Sequence, residues 1–324
     1  GTVRSVDGMS VDELRALARM RMWQGFSASP GQQIEVASRS LLKSLELLDR
    51  PELAEHDTRL ERGILLYMLG RSRFEVQREE TRQQFERSLA LLRAIDNRWW
   101  AGRVLTHLGI LAWDEGLYGS AHECFRESLA AFQAQGDPRR SAEALAYASV
   151  VDSWQGHVEQ AEQLARESLA LMQTTGNRAG IAGATQAVAM AVRQAGKFVE
   201  SEALMERCLV LWDDLGTRGA LVIEHLGRAK MHLGQYARAR ALAREELALL
   251  RRRDLRRMVA IHLELLAMAS LPDGRYKDIC SWLQEAFATF REFGMQGWQA
   301  NAEAVAGLAA QKHGRPGQVR GHLR

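Results

Sequence analysis

The chain has 324 residues, 46% of them hydrophobic and 26% charged, with 5 prolines and 3 cysteines. That composition excludes a disordered chain, a collagen and a disulfide scaffold, and no apolar run approaches the roughly 20 residues a membrane span requires. The 43 basic residues, nearly all arginine, are set against 40 acids spread along the chain, and the net charge is +3. This is a mixed surface without the footprint of a direct nucleic-acid binder.

The start, Gly1-Thr2-Val3-Arg4, has neither an initiator methionine nor a charged-then-apolar signal pattern. Residues 1–10 read as a tag or linker, or as the cut edge of a larger protein. Cys124, Cys208 and Cys280 are far apart and sit within apolar helical patterns. Such placement suits buried thiols in a reducing compartment, so the expected location is cytoplasmic.

One repeat organises everything that follows. A glycine recurs at Gly116, Gly156, Gly196, Gly234, Gly274 and Gly314, in steps of 40, 40, 38, 40 and 40. Five residues after the first five come Ala121, Ala161, Ser201, Ala239 and Ile279. Twelve residues after them come Ser128, Ser168, Cys208, Glu246 and Ala286, each followed by an apolar residue. A second break lies twenty residues after each glycine, at Gly136, Gly176, Gly216, Asp254 and Gly294. Between breaks the apolar residues fall at helical spacing, as in Ala121, Cys124, Phe125, Ser128, Leu129 and Phe132, and the segments suit helices of about 15 residues. All five prolines, Pro30, Pro51, Pro138, Pro272 and Pro316, fall at or beside these breaks, where a helix tolerates them.

In chain order the predicted helical hairpins span 11–50, 51–97, 98–137, 138–177, 178–217, 218–255 and 256–295, with an eighth beginning at 296. In the first, Ala37, Ser44 and Leu45 carry the helix B marks; in the second, Phe85, Ser88 and Leu89 do. Both have longer A-to-B connections, over Gly25–Gln32 and Gly70–Gln77. The last unit stops soon after its helix A, so the array is expected to be truncated inside a repeat and its final helix to lack a stacking partner.

Leu108-Gly109 and Leu226-Gly227 in helix A, the Gly-x-Tyr steps at Gly116 and Gly234, then Ala121 or Ala239, together with the aromatic Phe125, resemble the tetratricopeptide repeat. Ser149 and Ala189 depart from it by replacing the helix A glycine, and the period is near 40, giving longer helices. Segments such as 161–172 followed by Thr175-Gly176-Asn177-Arg178 resemble the C-terminal sensor arrays of bacterial signal-transduction ATPases with numerous domains, including LuxR-type ATP-dependent activators. The resemblance implies an all-α, right-handed α-solenoid of seven to eight hairpins. It also implies a role: binding an inducer, whether peptide, protein or small molecule, on the concave face and holding a neighbouring nucleotide-binding module of the same protein inactive. A free-standing adaptor that holds a peptide or partner protein is the alternative.

No phosphate-binding loop, zinc signature, C-x-x-C, dinucleotide fingerprint or nucleophile elbow occurs. Gly196-Lys197 is followed by Phe198, and His122-Glu123-Cys124 are adjacent helical residues that point apart. The chain therefore reads as a binding domain, not an enzyme, with no cofactor, no metal and no membrane partner. The basic run Arg251–Arg257 spans the turn between the sixth and seventh hairpins and is read mainly as solvated turn charge.

In the resembled arrays helix A lines the concave face, at two, three, six and ten residues before the turn glycine. Those offsets select Trp113 in the third hairpin, Trp154 in the fourth, Gln186, Met190 and Arg193 in the fifth, Glu224 and Arg228 in the sixth, and Tyr67 in the second. These eight form the expected ligand groove: aromatic rings supply rigid contact area, and an arginine fork fixes an anionic group. Trp23 falls on the same rim. Glu224 and Arg228 are also four apart and suited to pair on their own helix. Trp99, Trp100, Trp212, Trp282 and Trp298 lie outside the offsets and are assigned to packing.

Overall fold

The structure is a computed structural model that describes residues 6–27, 34–74, 78–215 and 219–312. Pro30, Gly216, Gly314, Pro316 and the side chain of Ala37 lie outside the described residues. Fifteen α-helices and two 3-10 turns account for the described regular structure, with no strand among these residues. The helices are α1 (Val11–Ser27), α2 (Ile34–Leu48), α3 (Arg59–Arg73), α4 (Arg78–Arg93), α5 (Arg98–Asp114), α6 (Tyr118–Ala134), α7 (Pro138–Gln155) and α8 (Val158–Thr174). They continue as α9 (Arg178–Gln194), α10 (Phe198–Asp214), α11 (Ala220–His232), α12 (Tyr236–Arg252), α13 (Arg256–Ser270), α14 (Tyr276–Glu292) and α15 (Gln296–Lys312). The pairs α1/α2 to α13/α14 are the seven predicted hairpins, and α15 is the helix A of the eighth. The fold is all-α, of the helical-hairpin solenoid class.

The breaks share one geometry. Every described break glycine has positive φ, from +61° at Gly294 to +83° at Gly156, and Asp254 takes the same place at +54°. Asp96, at φ +50°, extends the series forty residues upstream of Gly136, where the sequence shows no glycine to mark it. The next amide closes the helix end by bonding back to a carbonyl five residues earlier: Leu117 N to Ala112 O at 2.8 Å, His157 N to Asp152 O at 2.9 Å, and Lys197 N to Val192 O at 2.9 Å. That is the Schellman closure, and it requires the left-handed residue inside it. Helix A then restarts on a side-chain cap at a forty-residue interval: Asn97, Asp137 and Asn177 accept from the amides of Trp100, Arg140 and Gly180. Pro138 sits in the first turn of α7, while Pro51 and Pro272 fall in the 3-10 turns Pro51–Leu53 and Leu271–Asp273.

A second repeated bond closes the first, second, fourth and fifth hairpins. The helix B mark donates across to a helix A carbonyl: Ser44 Oγ to Ala18, Ser88 Oγ to Gly63 and Ser168 Oγ to Ala142, at 2.8, 2.6 and 2.7 Å. Cys208 Sγ makes the equivalent contact to Ala182 O at 3.4 Å, and burial pushes its thiol up to about 12, so it remains a protonated donor. The accepting residue is Ala or Gly because the helices pass close there; a Cβ on Gly63 would lie 2.8 Å from Leu92 Cγ.

The chain forms two compact units, Gly1–Leu111 with Ala130–Gln135, and Ala112–Leu129 with Gly136–Arg324. In the first, Tyr67, Phe85, Leu92 and Phe132 are fully buried, and Glu61 on α3 takes both Arg15 and Arg19 of α1, at 2.7 and 2.6 Å. In the second, consecutive helices pack together, and each of α7, α9, α11, α13 and α15 also touches the next of that set, so helix A surfaces share one side. This unit curls until its ends meet. Arg257 Nη2 on α13 lies 3.0 Å from Asp114 Oδ2, 143 residues away, and Trp298 on α15 sets its ring edge-on to Trp154, 6.1 Å between centroids. α15 packs on α13 and α14 and on the start of its own unit.

Three arginines of the basic run form ion pairs, Arg251 with Glu285, Arg256 with Glu292 and Arg257 with Asp114, while Arg252 and Arg253 are exposed at the turn. No helix among the described residues is long and apolar enough to cross a membrane.

Two glycine substitutions separate conformation from space. A Cβ on Gly156 or on Gly183 would meet nothing within 4 Å, but only Gly156 has positive φ. Gly156→Ala is expected to destabilise by about 1–2 kcal/mol through backbone strain alone. Gly183→Ala, inside α9, should stabilise by about 0.5–1 kcal/mol. Urea unfolding of the two variants checks the opposite signs.

Candidate functional site

The curled second unit encloses two adjoining cavities on its helix A side. The larger has a volume of about 440 Å³ and a mostly apolar lining that includes Trp113, Tyr147, Val150, Trp154, Met190, Leu221 and Trp298. The smaller, about 330 Å³, is polar, with Ser153, Arg193, Gln194, Arg228 and Asn301 in its walls. They share Trp154, Met190, His225 and Trp298. Both volumes lie in the range of small-molecule pockets.

Helix phase explains this lining. All four inward positions of the fourth hairpin (Ala146, Val150, Ser153, Trp154) and of the fifth (Gln186, Met190, Arg193, Gln194) line one cavity or the other. Residues thirteen before the turn glycine, Glu143, Gly183 and Leu221, and nine before it, Tyr147, Ala187 and His225, line the larger one. These positions continue the same stripe along a 3.6-residue helix. Trp298 and Asn301 stand sixteen and thirteen residues before Gly314, so extending the offset series by another turn would have found them. Trp298 is packed, as expected, but it is also a cavity wall.

Six of the eight groove residues come together here: Trp113, Trp154, Gln186, Met190, Arg193 and Arg228. The Trp113 and Trp154 rings meet edge-to-face at 6.3 Å, and Tyr118 stacks on Trp154 from 6.4 Å. Tyr67 does not belong with them. It is fully buried in the first unit, packed against Phe85, Trp100 and His107, and its hydroxyl accepts from Arg103 Nη2 at 2.8 Å. Its offset was read from Gly70, which sits inside α3 and ends no helix. Trp23 is half exposed in that same unit. Glu224 is fully buried and lines neither cavity; it serves Arg228 from behind.

The two arginines differ in kind. Arg228 pairs through Nε with Glu224 and through Nη2 with Glu264, both fully buried, and its guanidinium lies 5.6 Å over the Trp298 ring. Burial opposes all three charges. For Arg228 the two carboxylates outweigh burial and hold the guanidinium firmly protonated. For Glu224, Arg228 and His225 outweigh it, and the carboxyl stays well below the usual range. Glu264 goes the other way: burial raises it, Arg228 pulls it down, and Glu224 adds to the rise. Arg193 makes no such pair among the described residues. Its Nε is shielded from solvent without a hydrogen-bond partner, and so is Ser153 Oγ beside it. Burial first, then repulsion from Arg228, pushes its guanidinium down to about 10 against the pull of Glu224, which leaves it cationic at neutral pH. His232, two residues before its glycine, stacks on Phe198 at 4.3 Å and lines neither cavity.

No protein-family model and no curated protein matches this sequence. Solved structures do. The chain is similar to a signal-transduction ATPase with numerous domains from Pyrococcus horikoshii that carries a tetratricopeptide repeat sensor, with a TM-score of 0.62 and 12% identity over 94% of this chain. That match spans only 44% of the ATPase. It is also similar to a Rap protein complexed with competence and sporulation factor, at TM-score 0.60 and 12% identity, over 96% of this chain and 93% of that one. The apo form of RapI matches at TM-score 0.58 and 11% identity, over 94% and 98%. At these identities the likeness is one of fold, and the shared fold is the tetratricopeptide array.

Because Glu224 and Glu264 jointly satisfy Arg228, removing one should be costly. Glu224→Gln is expected to destabilise by about 3–5 kcal/mol, as in other buried pairs broken from one side. Its depressed pKa also fixes a sign: the stability Glu224 contributes is present above the unfolded carboxyl value of about 4.3 and is lost as pH falls below it. Unfolding curves from pH 7 to pH 3 should therefore fall less steeply for the variant than for the parent.

Proposed function

We propose that this chain is a ligand-sensing domain that takes an inducer into the paired cavities of its second unit and thereby controls a neighbouring nucleotide-binding ATPase module. The observation that carries this reading is the composite site: an apolar chamber walled by Trp113, Trp154 and Trp298 opens beside a polar recess with unsatisfied donors. Apolar walls supply affinity, and a few convergent polar groups fix orientation. Trp113, Trp154, Gln186 and Met190 contact the body of the ligand, Arg193 and Arg228 face its polar end, and Glu224 holds Arg228 in place. The coupling to an ATPase has a precedent in the Pyrococcus horikoshii protein, where a tetratricopeptide sensor and an ATPase share one chain.

A second reading has its own support. The Rap structures match over nearly the whole of both chains, and one is complexed with competence and sporulation factor. On that reading this chain is a self-sufficient regulator that captures a peptide.

The test uses the full product of the gene. If its reading frame encodes a phosphate-binding loop, deletion of residues 98–312 is expected to raise basal ATP hydrolysis, and unchanged hydrolysis would count against the control role. Trp154→Ala should weaken inducer binding roughly 30-fold, the scale of an anchor worth about 2 kcal/mol, while the variant still unfolds cooperatively. A collapsed melting temperature with unaltered binding would show Trp154 to be core. A reading frame without a phosphate-binding loop selects the peptide-capturing regulator.

A further inference from the structure

The polar recess holds a charge that the protein itself does not answer. Arg193 on α9 has no ion-pair partner among the described residues, and its Nε is shielded from solvent with nothing there to bond. Ser153 on α7, only 5% exposed, brings a hydroxyl into the same recess, also unbonded. Leaving a shielded guanidinium N–H and a buried hydroxyl without partners is costly, and a protein that keeps both has a place for something to complete them.

The surroundings define what that is. The neighbouring cation, Arg228, is already engaged by Glu224 and Glu264. His225 Nδ1 lies 2.7 Å from Glu224 Oε2, so it too is turned to that carboxylate. His232 senses both arginines but lines neither cavity. Among the described residues the recess thus offers one guanidinium outside an ion pair, with the carboxylates of Glu224 and Glu264 engaged by Arg228 beside it. A single negative charge is favoured there, whereas a doubly charged phosphate would meet Glu224 and Glu264. The planar guanidinium fork matches a carboxylate in two parallel bonds, and the Ser153 hydroxyl can add a third. The apolar chamber begins at the shared walls Trp154 and Met190.

From this juxtaposition we infer that the cavity binds an amphipathic monocarboxylate, with its carboxylate on Arg193 and Ser153 and its apolar body in the chamber between Trp154 and Tyr147. Two sources share this chemistry: a free aliphatic or aryl-substituted acid, and the C-terminus of a short apolar peptide. The inference rests on the ligand-sensing reading above and names the class of ligand that site takes.

The chain carries its own reporter, since Trp113, Trp154 and Trp298 border the cavities. Tryptophan fluorescence would be titrated with octanoate and 4-phenylbutyrate, with the matching neutral amides, and with an apolar tripeptide bearing a free or an amidated C-terminus. The acid is expected to bind at least tenfold tighter than its amide, and the free or peptide acid that binds tighter identifies the source. Arg193→Met should abolish that preference, with amide affinity unchanged and the melting temperature equal to or above that of the parent, because an unpaired shielded cation has been removed. Arg193→Lys should keep part of the preference and serves as the readout if Arg193→Met fails to fold. Equal affinity of acids and amides for the parent chain would overturn the carboxylate inference and leave the sensor reading standing, as would an undiminished preference in Arg193→Met or in Arg193→Lys. If acids, amides and peptides all fail to bind, the cavity reading itself falls.

Discussion

From Asp96 to Gly294 the breaks between helices carry residues in the left-handed conformation, and these residues recur about every twenty positions among the described residues. After Asp96, Gly116, Gly156, Gly196, Gly234, Asp254 and Gly294 the next amide bonds back into the helix that ends there, so the stop is sharp, and helices α5–α10 come out seventeen or eighteen residues long. Equal length has a consequence beyond regularity. A helix that always starts and stops at the same phase presents the same positions inward in each repeat. The inward stripe of α7 is therefore the inward stripe of α9, and residues forty apart in sequence become neighbours on one wall. The cavities follow from that phase, since they are lined by the same register of successive helices.

What holds the phase in three dimensions is a polar bond inside an apolar seam. A serine hydroxyl, or the Cys208 thiol, reaches a helix A carbonyl from the facing helix. The bond is short because Ala or Gly stands at the accepting residue and lets the backbones approach. In the sixth and seventh hairpins the mark becomes Glu246 and Ala286, and the buried polar chemistry moves to the helix A side as Glu224, Arg228 and Glu264. A buried ion cluster adds little net stability over an apolar core, but it penalises any register in which its members fail to meet. Its position between α11 and α13 fixes those helices against each other behind the cavity wall.

The fold was almost fully legible, because periodicity in glycine, proline and small residues is a direct record of where helices stop and touch. Asp96 escaped because an aspartate can occupy the left-handed region without announcing it, and only the forty-residue step places it. The site was legible in part. Offsets from the turn glycine found Trp113, Trp154, Gln186, Met190, Arg193 and Arg228 because those helices keep the shared phase. They failed at Tyr67, where Gly70 lies within α3 and the reference point was therefore wrong. They could not separate Arg193 from Arg228, since pairing depends on Glu264, which lies on another helix A thirty-six residues downstream of Arg228. Nor could they foresee that α15 returns to Trp154, a contact set by accumulated curvature and not by any local pattern.

That return matters for how binding could be felt beyond the site. The cavities are bounded by α7 and α9 on one side and by Trp298 of α15 on the other, and the Arg257–Asp114 pair spans the same junction. Any group held between these walls would therefore touch helices that are far apart in the array. It could bias the curl only by a differential affinity for two arrangements of those helices, since equal affinity for both shifts nothing. The Trp154–Trp298 contact and the Arg257–Asp114 pair are the two places where such a bias would have to act, because they alone of the contacts described above join the start of the unit to α13 and α15.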